Sequence, residues 1–423
     1  MSDMGIDAGF DVADFLGPGD GVWWSQGSAE PEPLVNQVLD AVDRVGPIRA
    51  FSGLTWNERL SGDLPEKLTV VSYGGLGQLR SLSRHGRLDV VPCHYSALPR
   101  MFATGQLPND VGLVQVSPPG KDGKVTLGTG VEYVADAIAH TRTLIAEINH
   151  QMPPTTGGPQ LPLSAFAAVI ETDRPLREAP ARSADEVDRA IAGNVASIVD
   201  DGSTIQIGVG SLPSAVLEAL AGHADLGFHS GMITDGVLDL VERGVITGAR
   251  KEIDPGVIVT GAALCSSEGY RRLGEHPVEF RPASYTHAPA VLSRLESLVS
   301  INSAIEVDLL GQVGAELARG VHIGAVGGQV DFSRAASLTG SRSIIALRST
   351  VGSGERSQST IVASLASGVV TTARVDVDAV VTEHGVAMLT GCTVAERALR
   401  LIEVAAPEHR AHLERSLVDQ ENR

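Results

Sequence analysis

Short apolar runs alternate along the chain with stretches whose hydrophobic positions recur every three or four residues. Residues 68–71, 88–91, 111–116, 205–207, 344–347 and 379–381 are runs of the first kind, rich in Val, Ile and Leu. Runs of this length, followed by glycine and a helical pattern, predict buried and largely parallel strands. Val35, Val38 and Leu39, like Val216, Ala219 and Leu220, fall on one face of a helix. The alternation predicts an α/β fold with open, largely parallel sheets.

The pattern also repeats. Residues 20–27 read as a strand ending in a glycine turn, followed by Pro31, Pro33 and an amphipathic helix. Roughly 180 residues later, residues 201–208, Pro213 and the helix carrying Val216 follow the same plan. A second pair keeps the order: residues 51–55, with Ser52-Gly53, and residues 228–232, with Ser230-Gly231. Two similar α/β domains are expected, 1–185 and 186–423. The join falls in the polar stretch from Asp173 to Asp188, which Pro175 and Pro180 interrupt. In such sheets ligands sit at the carboxyl ends of strands, here expected between the halves.

Charge narrows the choice of partner. The net charge is −18 over 423 residues, which disfavours nucleic acid and anionic lipid. No run of about 18 apolar residues could span a membrane. The start, Met1 to Gly5, has no basic and apolar leader. A cytoplasmic protein is expected, as a homodimer by base rate. Cys93, Cys265 and Cys392 form neither a disulfide framework nor a metal motif, so no metal is expected.

Several segments carry candidate chemistry. Gly208, Val209, Gly210, Ser211 and Leu212 lie where a strand becomes a helix, a place where backbone N–H groups attract negative charge. A tight structural turn is the commoner role of such a loop. Gly324, Gly327, Gly328 and Gln329 form a second cluster that invites close backbone contact, or else a strand-end bulge. His229 offers a general base and Ser230 a nucleophile, but neighbours on a strand point to opposite faces and form no dyad. Asp235 has the more common alternative of capping the following helix. Glu306 and Asp308 share a strand face, as solvated carboxylates often do. His384 follows the 379–381 strand toward a cleft. His409 and His412, three apart, lack a third metal ligand. Trp23, Trp24, Trp56 and Tyr95 offer pocket walls, although large aromatics are usually core.

These segments, in order, resemble the acetyl-CoA hydrolase/transferase group of class I CoA-transferases, which includes 4-hydroxybutyrate and butyrate–acetate CoA-transferases. The resemblance spans nearly the whole chain. It rests on residues 116–119, 145–153, 208–213, 232–236, 301–309, 327–332 and 382–387, and on Glu396 to Ala398. It implies two open α/β domains and an acyl-CoA site between them. Coenzyme A would enter as the acyl-CoA substrate, with the 208–212 loop and the 324–329 cluster around it, and a small molecule would accept the acyl group.

One position departs from that pattern. The family carries a glutamate just before the methionine of this stretch, and that carboxylate forms the acyl and CoA adducts. This chain has Gly231, which has no side chain to form them. Three explanations follow. The acyl group passes directly to an acceptor or water, with His229, Asp235, Glu306 or His384 as base. Alternatively another carboxylate serves, Glu30 and Glu32 being the nearest formal candidates. Otherwise the chain binds CoA without turnover. The first is preferred, because the glycine loops and the surrounding motif persist.

Overall fold

Seven strands, all parallel, form the first sheet of the computed structural model, which describes residues 10–178, 183–352 and 354–421. Met1 to Gly5 and Pro180, used in the sequence reading, lie outside the described residues. Across the sheet the order is Leu88–Val90, Leu68–Ser72, Ile48–Phe51, Gly21–Trp24, Val111–Val116, Thr143–Asn149 and Ala168–Thr172. All six residues of Val111–Val116 are buried, as expected for a strand covered on both faces. Alternation along Gly21–Trp24 divides two cores. Val22 and Trp24 point into one, while Trp23 joins Phe51, Phe102 and Tyr133 in the other. Trp23 and Trp24 are thus fully buried core residues.

The second sheet runs Gly227–Phe228, Thr204–Ile207, Leu298–Asn302, Arg342–Ala346, Ala379–Thr382 and Gly385–Met388. Only the last strand is antiparallel to its neighbour. A parallel bridge from His229 to Val259 continues it to Ile258–Thr260 and Val278–Phe280. In each half the first strand therefore lies between the next strand in sequence and a much later one. The order reverses at that strand, which places a crevice at its carboxyl end. The repeat read from the sequence is a repeat of topology.

Proline starts both helices that leave these strands. Pro33 lies in the first turn of Glu32–Val45 and Pro213 in the first turn of Ser211–Ala219, where an N–H would have no helical partner. Leu34, Val35, Val38, Leu39 and Val42 form the buried stripe of the first helix.

The carboxyl ends of the two sheets meet. Backbone bridges join Gly74 to Ala325, His94 to Gly327 and Gly130 to Ala262. A Cβ on Gly74 would stand 2.4 Å from that of Ala325, so the seam needs glycine there. One hydrophobic cluster runs from Trp23 through Tyr133 and Phe228 to Val381. Among the described residues no helix is long and apolar enough to cross a membrane.

A buried ion pair braces the first crevice. Arg174 donates from Nε and Nη2 to the fully buried Glu147 at 2.6 and 2.9 Å, and from Nη2 to the Glu30 carbonyl at 2.7 Å. Glu30 is also buried, and the Thr55 hydroxyl lies 2.9 and 2.8 Å from its carboxyl oxygens. Burial raises its pKa to about 8, against the lowering effect of Thr55. The folded chain therefore keeps a proton there that the unfolded chain releases near 4.5, so stability falls as pH rises between those values. Glu30→Gln should flatten the fall, read as the urea midpoint from pH 5 to 8. An unchanged slope would mean that Glu30 titrates normally in the fold.

Candidate active site

The loop after Thr204–Ile207 opens onto space. Gly208, Val209 and Leu212 line a small cavity of about 80 Å³ with Ile301 and Ser303. Leu212, Ser303 and Ala346 also border a larger one of about 620 Å³, walled by Glu306, Ile323 and Arg348 among others. Gly210 is at φ 131°, a conformation that favours glycine, and Ser211 begins the helix. The 324–329 cluster has another place. Gly324 and Gly327 accept backbone hydrogen bonds from Gly75 and Tyr95 at 3.0 and 2.9 Å, sealing the two halves together. Gln329 donates to Thr372 at 3.0 Å.

The expected acid–base residues do not assemble. His229 is fully buried, its Nε2 3.1 Å from the Thr286 carbonyl, and burial lowers its pKa to about 4. Ser230 donates to the Ile207 carbonyl at 3.1 Å. Asp235 accepts from the backbone and hydroxyl of Ser266 at 2.8 and 2.6 Å, tying two helices together. Glu306 accepts from the Ala366 backbone at the wall of the large cavity, while Asp308 is buried and receives Leu310 and Gln312. The shared solvated face expected of that pair is absent because Asp308 turns inward to hold its own loop. His384 lies in the turn between the last two strands, at the sheet edge opposite Gly227–Phe228. Neither Glu30 nor Glu32 is a free carboxylate: the first is buried against Thr55, and the second pairs with Arg177 at 2.7 Å.

What does assemble around Gly231 is a different group. The backbone of Gly231 does not need glycine, because its φ lies outside the left-handed region. A Cβ there would stand 3.0 and 3.1 Å from Cε1 and Nε2 of His287. An imidazole thus fills the direction a side chain would take. Its Nε2 would also lie 2.4 Å from a Cβ on Gly328, so that glycine admits the ring. Tyr95 and Phe332 flank it at ring separations of 4.6 and 5.0 Å. Burial first, then His229, lowers the His287 pKa to about 3, so the ring is neutral.

Linked to this ring through Tyr95 is a carboxylate that stands in no motif. Glu132 begins the helix Glu132–Ile138 and is only 4% exposed. Its Oε2 accepts from the Tyr95 hydroxyl at 2.5 Å and from Gln26 Nε2 at 2.8 Å. The Gln26 amide is fixed in turn, its Oε1 receiving the Leu54 N–H at 2.7 Å and the Tyr73 hydroxyl at 2.9 Å. Burial raises the Glu132 pKa to about 7, although both donors to Oε2 pull it down. The sequence cue was a carboxylate within the buried helical stripe of Tyr133, Val134 and Ala137.

Comparison with known proteins agrees with this frame. The acetyl-CoA hydrolase/transferase N-terminal domain matches residues 11–175, and the C-terminal domain of the same name matches 268–417. A 4-hydroxybutyrate coenzyme A transferase of Clostridium kluyveri is 40% identical over 339 residues, 80% of this chain and 79% of its own. The crystal structure of RipA from Yersinia pestis superposes with a TM-score of 0.91 at 32% identity, covering 97% of this chain and 96% of that one. A 4-hydroxybutyrate CoA-transferase from Porphyromonas gingivalis gives 0.79 at 33% identity, with the same two coverages.

Proposed function

The chain belongs to the acetyl-CoA hydrolase/transferase family, and from that premise we propose that it binds an acyl-CoA between its halves, 1–185 and 186–423, and passes the acyl group directly to water or a small acceptor. One observation carries the reading: the His287 imidazole crowds the place where a residue-231 side chain would begin, at 3.0 and 3.1 Å from its Cβ. A neutral ring there forms no acyl anhydride. The cavities beside Leu212 and Ser303 offer room for the CoA chain, and the glycine seam closes the reacting end from solvent.

Mass-spectrometric product analysis with short acyl-CoAs, with and without acetate, tests the reading. Free CoA and free acid, with no CoA appearing on acetate, are expected. Exchange onto acetate would restore a covalent carboxylate route and overturn direct transfer. Bound but unchanged acyl-CoA across a broad panel of acyl chains and acceptors would instead favour a CoA-binding protein without turnover.

A further inference from the structure

We propose that Glu132 is the general base of a thioester hydrolysis, drawing the proton from a water held in front of Gly231. The inference rests on the direct-transfer reading and adds both the acceptor and the residue that activates it.

Position comes first. The backbone N–H of Glu132 donates to the Gly261 carbonyl at 3.1 Å, and the Gly261 N–H donates to the Gly231 carbonyl at the same distance. A Cβ on Gly261 would touch both the Gly231 oxygen, at 3.1 Å, and Glu132 Cβ, at 3.4 Å. The backbone and Cβ of Glu132 are thus pinned against the segment that carries Gly231. Tyr95, its donor, packs at a tilt against the same His287 that faces Gly231.

The hydrogen bonding is asymmetric. Oε2 has two donors, but Oε1 is buried and has no partner among the described residues. An unpaired buried carboxylate oxygen is costly to the fold, so its persistence calls for a use. The buried Glu147 is treated differently, with both oxygens on Arg174. Among the described residues, burial, Tyr95 and Gln26 set the Glu132 pKa, with no arginine or lysine beside them. Its pKa near 7 suits a base at neutral pH, whereas His287, near 3, does not readily take a proton. The depth of Oε1 favours the smallest acceptor, water.

The step balances. A water O–H bond breaks, and its proton goes to Glu132 Oε1. The water oxygen pair forms the C–O bond at the thioester carbon, and the C=O π pair moves onto the carbonyl oxygen. When that pair returns, the C–S bond breaks with its electrons on sulfur, which takes the proton back from Glu132. Acyl-CoA and water become acid and CoA, and the carboxylate is restored.

Acyl-CoA hydrolysis by the wild type, Glu132→Gln and Tyr95→Phe tests this. Wild-type kcat should rise with pH through about 7 and then level, since the base must be deprotonated. Glu132→Gln should lose about 10²- to 10⁴-fold in kcat with KM little changed. Should that variant fail to fold, Tyr95→Phe decides. It keeps the ring but removes one donor to the carboxylate, so the midpoint of the rise should move up by about one pH unit. A wild type that releases no CoA overturns both this inference and the direct-transfer reading. Wild-type turnover with an unaffected Glu132→Gln, or an unmoved midpoint in Tyr95→Phe, overturns the inference alone. Exchange of CoA onto acetate that Glu132→Gln abolishes would make Glu132 a nucleophile and likewise overturn it as base.

Discussion

Gly231→Glu alone is expected to remain without CoA exchange and to lose about 1–3 kcal/mol of stability, as overpacked sites do. The backbone would accept the residue, since φ at 231 is ordinary. The obstacle is the ring. His287 stands about 3 Å from the new Cβ and is boxed by Tyr95, Phe332 and the bare Cα of Gly328. Removing it as well, in Gly231→Glu with His287→Gly, should recover most of the lost stability. Only that double variant should move CoA from acyl-CoA to acetate. Urea denaturation and the acetate exchange assay read both effects. Full stability and exchange in the single variant would show that His287 yields freely and that position 231 alone decides the chemistry.

Arg174→Leu should cost about 3–5 kcal/mol, because it leaves the Glu147 carboxylate buried without its cation. Thr172 would still donate at 2.6 Å, which softens the loss without replacing a charge. The guanidinium also tethers the Glu30 carbonyl, so the segment presenting Gln26 to Glu132 should loosen and acyl-CoA turnover should fall. Converting the partner too, Arg174→Leu with Glu147→Gln, should return much of the stability. A loss under about 1 kcal/mol by urea titration would place the pair among weak surface bridges.

The frame of the molecule was legible because it depends on neighbours in sequence. The Val111–Val116 run became a central strand, and Pro33 and Pro213 marked the two equivalent helix starts. The 208–212 loop was found where a strand gives way to a helix. The group proposed as base was not legible for the same physical reason. Glu132 and His287 lie about 150 residues apart in the sequence and are brought together through Tyr95 only after the sheets have closed on each other. Neither stands in a motif: Glu132 taken alone resembles an ordinary polar residue of a helix, and His287 one in the turn after a helix. His229 drew attention because it ends a strand beside Gly231, yet its ring turns into the protein toward Thr286. Its neighbour Ser230 turns the other way to Ile207. That divergence follows from strand alternation and was the one part of the local geometry the sequence did contain.

Tyr95 has two attachments. Its backbone N–H is bound to the Gly327 carbonyl across the seam, and its hydroxyl is bound to Glu132. A ligand that displaces the glycine seam therefore also alters how firmly that carboxyl holds its proton. For such a ligand, binding and the uptake or release of hydrogen ions become a single thermodynamic event. The buffer in which affinity is measured enters the result as a reactant.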